Sequence, residues 1–303
     1  MVLTPTDKAL GVYLLFLSAV LLVRGPFDDG RGWLLAGHAV TFAGVFLLAR
    51  FESGRPLVRL LHTYYPLLIV PLLYAEIGEV NGAIGLDRIL AHDATVQAWE
   101  EAIFGVQVSR EWIRRAPFVF WSGLLHLAYL SYFPIVLLAG PLAHRRSGED
   151  AARRVIAAMM ITFLACYAVF ILYPVAGPNY AFSHPTGPAR DVWSAQLVYA
   201  TLRSGSSVGA AFPSSHVAVT VVAAWAVWRV WRPLGLVFGI ACGFLTVATV
   251  YCQMHYAVDT AAGLLVGVGV SASLSRVAGS WSPARPSGVL GPKPDGRGGA
   301  LEA

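Results

Sequence analysis

Charged residues are scarce in this chain. Asp, Glu, Lys and Arg make up 13% of its 303 residues, whereas a soluble domain of this length carries about 25%. Apolar residues make up 56%, and the mean hydropathy is +0.62. The low charge excludes an ordinary soluble protein, and repeated apolar runs of about 17–25 residues indicate a polytopic membrane protein.

Cysteine is also scarce, and a cleavage motif is missing. The three cysteines, Cys166, Cys242 and Cys252, lie in or beside apolar runs, so no disulfide framework is expected. The first apolar run has no small-x-small cleavage motif after it, and we expect a retained span rather than a signal peptide. The net charge of +5 is spread over loops, so nucleic acid is not an expected partner.

The apolar runs predict an all-α bundle of about eight transmembrane spans. Each run has about 15–25 residues, close to what a helix with a rise of 1.5 Å per residue needs to cross a bilayer. The predicted spans are residues 10–23, 33–49, 57–75, 118–142, 155–174, 214–231, 234–253 and 258–275.

Lysine and arginine in the flanking segments predict the orientation. With the amino terminus inside, 14 of the 22 basic residues fall in cytoplasmic segments and 8 fall outside. Cytoplasmic loops carry the excess of basic residues in membrane proteins. We therefore expect both termini to be cytoplasmic, in a protein of a bacterial inner or plasma membrane.

The remaining segments divide the chain into three parts. Residues 1–56 hold two transmembrane helices, 57–278 form the membrane core, and 279–303 are rich in proline and glycine and predict a disordered cytoplasmic tail. Within the core, the acidic and periodic region 85–115 predicts an amphipathic helix at the outer interface. Residues 175–212 form a long outer loop.

Ionisable residues gather at the outer ends of three predicted spans. His216 begins one span, and His255 follows 39 residues later, the length of two spans of about 18 residues and a turn. Asp259 lies four residues beyond His255, on the same side of a continuing helix. Ionisable groups that border spans are costly and indicate function, so these three side chains predict a site at one depth.

Two motifs carry a family resemblance. The stretch PSSH at 213–216 and the stretch HYAVD at 255–259 resemble the second and third motifs of the type-2 phosphatidic acid phosphatase superfamily, P-S-G-H and S-R-x-x-x-x-x-H-x-x-x-D. The resemblance covers roughly residues 118–275. The stretches EAIFGVQVSREW and LLHLAYLSYFP resemble the branch that contains inositol phosphorylceramide synthases.

The resemblance implies a six-helix phosphatase-type core and a role for each residue. It makes His255 the nucleophile that attacks phosphorus, Asp259 its orienting partner, and His216 the acid that protonates the leaving oxygen. The residue types agree, because a neutral imidazole is a competent nucleophile and a second imidazole can exchange a proton near pH 7. Neither a metal nor a cofactor is implied.

The chain departs from the family at its cationic positions. In the first motif, K-x-x-x-x-x-x-R-P, Phe170 stands in place of the lysine and Gly177 in place of the arginine, while Pro178 is kept. In the third motif, Ala248 and Thr249 replace the serine and the arginine. All three cationic phosphate ligands are therefore missing.

This departure favours a phosphodiester substrate. A phosphomonoester carries nearly two negative charges and normally needs cationic donors, whereas a diester carries one. We therefore expect a lipid phosphotransferase that moves a phosphorylated headgroup from a phospholipid donor to a lipid or polyol alcohol acceptor through a phosphohistidine. Candidate substrate-binding residues are Ser214, Ser215, Pro178, Asn179, Tyr180 and His126, with Arg190 or Arg203 as loop cations that could reach the site.

Several alternatives stay open at this stage. The runner-up is a lipid phosphate phosphatase, acting on phosphatidic acid or a polyprenyl phosphate, that holds phosphate with other residues. Two histidines and an aspartate could instead bind zinc, and the protein could be a non-enzymatic membrane protein. Ser214 could simply cap its helix, and His126 could be a packed, hydrogen-bonded histidine. Glu76 and Glu79 are either interfacial charges or binders of the acceptor hydroxyl.

Overall fold

The computed structural model describes residues 3–24 and 32–277, and the tail predicted at 279–303 lies outside them. This part of the chain forms thirteen helices and no strand beyond an isolated bridge between Val175 and Ala210. The helices are α1 (Pro5–Arg24), α2 (Gly32–Phe51), α3 (Pro56–Gly82), α4 (Leu86–Phe104), α5 (Val108–Arg115), α6 (Val119–Leu130), α7 (Tyr132–Ser147), α8 (Glu149–Leu172), α9 (Pro178–Ala181), α10 (Trp193–Gly205), α11 (Ser215–Val230), α12 (Arg232–Tyr251) and α13 (Ala257–Val277).

Seven of the described helical segments are long and apolar enough to cross a bilayer. They are α1, α2, α3, the combined α6–α7 segment, α8, α12 and α13. The apolar helix α11 is shorter, with 16 residues, and corresponds to the remaining predicted span. The protein is therefore a multi-pass, all-α membrane protein. The predicted span 118–142 differs in detail, because a turn at Ser131 divides it into two helices.

Helices α8 and α11 form the centre of the bundle. α8 is apolar on all sides and packs against α1, α3, α7, α11 and α13, while α11 also packs against α7, α12 and α13. A helix that is apolar all round belongs in the interior. The three cysteines are free and buried in the bundle, as the sequence predicts.

Small residues bring α13 close to α11. A Cβ atom at Gly263 would lie 2.5 Å from the carbonyl oxygen of Ser214, and one at Gly267 would lie 2.8 Å from that of Ala218. Glycines spaced four apart let two membrane helices approach this closely. The contact sets the second turn of α13 beside the start of α11.

Buried ion pairs join the helices at the end of the bundle where α3 and α8 begin. His62 of α3 lies between two carboxylates, with Nδ1 2.7 Å from Glu52 and Nε2 3.1 Å from Asp7 of α1. Arg153 of α8 contacts Glu52 at 2.7 Å. Only the protonated imidazole has the two N–H donors that serve both carboxylates. This network fixes α1, α3 and α8 to one another.

Glu76 has a structural environment of the same kind. His38 Nε2 of α2 donates to its carboxylate at 2.7 Å, and His38 Nδ1 lies 2.7 Å from the hydroxyl of Ser18 on α1. Glu76 and His38 are both buried. Glu76 therefore holds α1, α2 and α3 together and does not face the cavity described below.

Candidate active site

Two histidines face each other at the end of the bundle where α11 begins. His216 is the second residue of α11, and His255 lies in the turn between α12 and α13. His216 Nδ1 and His255 Nε2 are 3.4 Å apart, and the ring centroids are 5.5 Å apart. The two imidazoles are therefore close enough to act on one phosphorus atom.

Hydrogen bonding leaves Nε2 of His255 available as a nucleophile. Its Nδ1 lies 3.0 Å from the carbonyl oxygen of Ala211 and 3.6 Å from Asp259 Oδ2. A carbonyl oxygen accepts but does not donate, so Nδ1 carries the proton and Nε2 keeps its lone pair. Nε2 is the nitrogen that faces His216.

Asp259 supports His255 less directly than the resemblance implies. Its distance to the ring is longer than a hydrogen bond, and its Oδ2 accepts the backbone N–H of Tyr256 at 2.9 Å. Its other oxygen, Oδ1, is buried without a hydrogen-bond partner among the described residues. Asp259 thus fixes the start of α13 and places a carboxylate behind the His255 ring.

Tyrosines that the sequence analysis left without a role surround His216. The Tyr129 hydroxyl lies 3.3 Å from His216 Nε2, and the rings of Tyr129 and Tyr132 have centroids 5.1 and 4.3 Å from the imidazole. Tyr129 and Tyr132 flank the turn at Ser131 that divides the predicted span. The break therefore turns both tyrosines toward the site.

A cavity of about 1240 Å³ opens onto the two histidines. His216, His255 and Ser215 form part of its wall, and its deeper wall is made of apolar side chains of α3, α7 and α8, among them Leu67, Val70, Phe133, Val136, Met160 and Phe163. None of the described residues that line it is a lysine or an arginine, and Glu79 is its one carboxylate. The cavity has the size of a site for a large apolar ligand.

Three predicted binding residues lie on the cavity wall. Ser215 is buried at the start of α11, and Asn179 and Tyr180 lie on the short helix α9. The Oδ1 atom of Asn179 is buried without a hydrogen-bond partner among the described residues. The Tyr180 hydroxyl donates to Ser206 Oγ at 2.7 Å.

Ser214 and Pro178 have local structural contacts. Ser214 is the N-cap of α11, and its hydroxyl accepts the backbone N–H of Val217 at 3.4 Å. Pro178 begins α9, and its carbonyl accepts from Gln253 at 3.2 Å. Neither residue lines the cavity.

His126 lies outside the cavity wall. Its Nδ1 donates to the carbonyl of Ser122 one turn earlier at 2.7 Å, and its ring lies 6.2 Å from that of Tyr199 on α10. It is completely buried between α6 and α10. This is the environment of the packed, hydrogen-bonded histidine that the sequence left as an alternative.

Steric constraints explain why the cationic positions of the first motif carry other residues. Gly177 has φ +92°, and a Cβ atom there would lie 2.9 Å from Cβ of Ala211. An arginine at this position would be strained by its backbone and would clash with its neighbour. Phe170, at the lysine position, is fully buried against Tyr167 of the core.

The third-motif positions and the loop arginines also place no cation in the cavity. Ala248 and Thr249 are fully buried, and the Thr249 hydroxyl pairs with Thr260 at 3.0 Å. Arg190 stacks on the ring of Tyr199 at 4.0 Å. Neither Arg190 nor Arg203 lines the cavity.

Helix α4, in the region predicted as an amphipathic interfacial helix, accepts hydrogen bonds from the loops that carry the site. Asp93, on the buried face of α4, accepts the backbone N–H groups of Ala176 and Gly177 at 2.7 and 2.8 Å, and the Tyr256 hydroxyl at 2.9 Å. Burial raises the pKa of Asp93 above the usual aspartate value, although its three hydrogen-bond donors oppose the shift. Simple amphipathicity does not predict this buried acid.

The contacts of Asp93 continue to His255 through the backbone. Val175, beside the amides that Asp93 holds, accepts the N–H of Ala211 at 3.0 Å. Ala211 in turn supplies the carbonyl that accepts from His255 Nδ1. Asp93 is thus a positioning residue at the far end of a chain of hydrogen bonds.

A second buried acid of α4 fixes the other side of the His255 turn. Glu100 accepts the N–H of Ser109 at 2.9 Å and that of Ala257, the first residue of α13, at 3.2 Å. Burial raises the pKa of Glu100, and these amide donors lower it. Across the turn, Gln253 has a positive φ of 59° and accepts from Arg114 Nη1 at 2.8 Å.

We expect Asp93→Asn to weaken both the fold and the activity. The amide nitrogen would face a backbone N–H, and a buried donor left without an acceptor costs about 1–3 kcal/mol. The thermal midpoint in detergent should fall, and turnover should fall further than the loss of folded protein explains because the Ala211 carbonyl shifts. Asp87→Asn, an exposed acid in the first turn of the same helix, is the control. Equal activity per folded molecule in both variants would refute the positioning role.

The donor set does not suit a single metal ion. Asp259 lies on the Nδ1 side of the His255 ring and His216 on the Nε2 side. The three side chains therefore cannot converge on one ion. Nowhere in residues 3–24 and 32–277 do three or more His, Cys, Asp or Glu side chains form a group that could hold a metal.

One of the comparisons with known proteins identifies a family. A family model described as the PAP2 superfamily matches residues 95–273, more than half of the chain and the part that carries both histidines. No curated protein and no solved structure matches the chain. The chain belongs to the PAP2 superfamily, whose members are phosphatases and phosphotransferases.

Proposed function

We propose that the protein is a lipid phosphotransferase that moves a phosphorylated headgroup from a phospholipid diester to an alcohol. The proposal rests on one observation above others, a site that pairs His216 with His255 in a cavity whose described wall carries no lysine or arginine. The stretches that resemble inositol phosphorylceramide synthases point to the same kind of reaction. The reaction proceeds by double displacement.

In the first half-reaction, His255 Nε2 forms a bond to phosphorus, and the bond from phosphorus to the glycerol oxygen breaks. His216, protonated at the start, gives its proton to that oxygen, and diacylglycerol leaves. The Nδ1–H bond to Ala211 and the nearby Asp259 carboxylate stabilise the positive charge that develops on the His255 ring. The product is a headgroup phosphate linked to His255.

In the second half-reaction, the acceptor alcohol takes the place that diacylglycerol has left. His216 removes the hydroxyl proton as the oxygen attacks phosphorus, and the bond to His255 Nε2 breaks. The proton stays on His216, which is then ready for the next cycle. Water in place of the alcohol would make the same site a phosphatase.

The walls of the cavity favour a diester over a monoester. A dianionic phosphate in a partly apolar site needs cationic donors to offset its desolvation. Here the donors near the histidines are the amides at the start of α11 and the hydroxyls of Ser215 and Tyr129. Amides at a helix start stabilise one negative charge well, which matches a diester.

The apolar part of the cavity supports a lipid donor. Helices α3 and α7 meet where the Tyr64 hydroxyl lies 2.8 Å from His144 Nδ1, and from there toward the histidines the cavity separates them. Leu137 and Leu67 line this crevice, and α8 forms its floor. An acyl chain in the crevice would bring its phosphate to the two histidines. The excess of basic residues at the opposite ends of the spans favours a site on the extracytoplasmic side.

The decisive experiment compares transfer with hydrolysis. Protein purified in detergent is supplied with a phospholipid labelled in its headgroup, with and without alcohol acceptors such as ceramide or inositol. We expect the headgroup label to move to the acceptor and diacylglycerol to appear in equal amount. If inorganic phosphate release from phosphatidic acid or a polyprenyl phosphate is the only activity, the protein is a lipid phosphate phosphatase and the diester proposal is wrong.

A further inference from the structure

Glu79 is a carboxylate without a partner on the wall of the active-site cavity. It lies near the end of α3, its side chain is exposed, and it lines the cavity together with Tyr74 and Gly78 of the same helix. None of the described residues forms an ion pair or a hydrogen bond with it. Glu76, three residues earlier, has His38 as its hydrogen-bond partner. Glu79 therefore lacks the structural role that accounts for Glu76.

The depth of Glu79 relates it to the phosphate position. The backbone carbonyl of Tyr74 accepts from Ser207 Oγ at 2.6 Å, and four residues after Ser207 the carbonyl of Ala211 accepts from His255 Nδ1 at 3.0 Å. Glu79 follows Tyr74 by five residues, which places its Cα about 7.5 Å further along α3. A carboxylate at this height can reach a headgroup whose phosphate lies at the histidines.

An unpaired carboxylate so close to a phosphate discriminates between headgroups. It repels a headgroup with a second negative charge, and it disfavours any anionic substrate unless a positive charge comes with it. The described wall supplies no lysine or arginine to offset this repulsion. A headgroup with its own cation would offset it.

Other groups on the wall suit the same cation. The rings of Tyr74, Tyr132 and Tyr180 line the same cavity as the histidines and Glu79, and aromatic faces attract ammonium groups. Asn179 of α9, whose Oδ1 is buried without a partner among the described residues, lines the same cavity.

We propose that Glu79 selects a donor phospholipid whose headgroup carries an ammonium, as the counter-charge that the cavity wall supplies to a zwitterionic phosphodiester. This inference rests on the proposed phosphotransferase function. The phosphate binds at His216 and His255, and the ammonium binds between Glu79 and the tyrosines. The site and the substrate are then complementary in charge at both ends.

The test compares donors that differ only in headgroup charge. Phosphatidylethanolamine and phosphatidylglycerol with the same acyl chains are supplied in mixed micelles, and diacylglycerol release is measured for each. We expect the full chain to prefer the ethanolamine lipid. Glu79→Gln should lower kcat/KM for that lipid roughly 10- to 30-fold, the size of one partly screened interaction between a carboxylate and an ammonium. Glu79→Lys should favour the glycerol lipid.

The control is Asp87→Asn, an exposed acid eight residues further on that does not line the cavity. It should keep the preference of the unchanged protein. Equal kcat/KM for both donors that Glu79→Gln leaves unaltered would overturn the role of Glu79 while leaving the phosphotransferase proposal intact. A change in the KM for the acceptor alone would assign Glu79 to the acceptor hydroxyl and would also overturn it. Absence of diacylglycerol release from either donor would contradict the phosphotransferase proposal itself.

Discussion

Replacing His255 by glutamine is expected to abolish turnover, with a loss of at least about 10⁴-fold, as for other catalytic nucleophiles. Glutamine keeps much of the volume of the buried ring but has no nitrogen lone pair to attack phosphorus. Without the attack, no phosphohistidine forms and neither half-reaction proceeds. The loss should occur with every donor, because each donor must form the same bond from phosphorus to His255 Nε2.

The covalent intermediate provides the direct measurement for this variant. Protein mixed with a donor labelled at phosphorus is quenched in base, where phosphohistidine survives, and the bound label is counted. The unchanged protein should retain label and His255→Gln should not. His184→Gln, an exposed histidine that does not line the cavity, is the matched control. Label of equal amount on the His255 variant would transfer the nucleophile to another residue.

Replacing His216 by glutamine is expected to produce a loss that depends on the leaving group. His216 Nδ1 faces the nucleophile at 3.4 Å, so the ring is placed to protonate the oxygen that departs from the same phosphorus. Removal of a general acid costs about 10²–10⁴-fold when the leaving group is an alkoxide. A nitrophenolate leaves without a proton, so most of the loss in the first half-reaction should disappear with a nitrophenyl phosphodiester.

The measurement for His216 is the rate of phosphohistidine formation with each of the two leaving groups, expressed as a ratio. A lipid diester and a nitrophenyl diester are compared in His216→Gln and in the unchanged protein under the same detergent conditions. The phosphohistidine should still form from the nitrophenyl substrate, and its breakdown by alcohol should become slow because the base is missing. An equal loss with both substrates would falsify the acid role and leave His216 with a part in binding or folding.

Asp259 and Asp93 both support His255, one as a neighbour in sequence and the other through distant backbone contacts, and the sequence predicts only the first. Asp259 follows His255 by one helical turn, so the sequence predicts their proximity, although the structure gives Ala211 the shorter contact. Asp93 is 162 residues from His255 and lies on a helix that the sequence predicts at the membrane interface. Its hydrogen bonds go to backbone amides, which have no signature in the sequence. The sequence offered one signal of its burial, the helical spacing of Asp93 with the apolar residues Ile89 and Val96.

The missing cations show a second limit. The sequence reveals that Gly177 replaces an arginine, but only the backbone torsion and the 2.9 Å approach to Ala211 explain why no long side chain fits there. Likewise, Asn179 and Tyr180 were predicted as substitutes for the missing cationic ligands, and their position on the cavity wall depends on how α9 packs. The separation of Glu79 from Glu76 depends on which face of α3 meets α2.

The sequence by itself determined the all-α membrane fold, the approximate spans and the meeting of two histidines at one depth. These properties follow from local regularities, since hydropathy marks a span and a fixed rise per residue turns a spacing into a height. Tertiary structure alone decided the shape of the cavity and the absence of cations from its described wall. It also decided that Glu79 lacks a partner among the described residues and that α4 binds the backbone of the site loops. Each of these depends on contacts between distant segments, and no periodicity in the chain encodes which faces of packed helices come together.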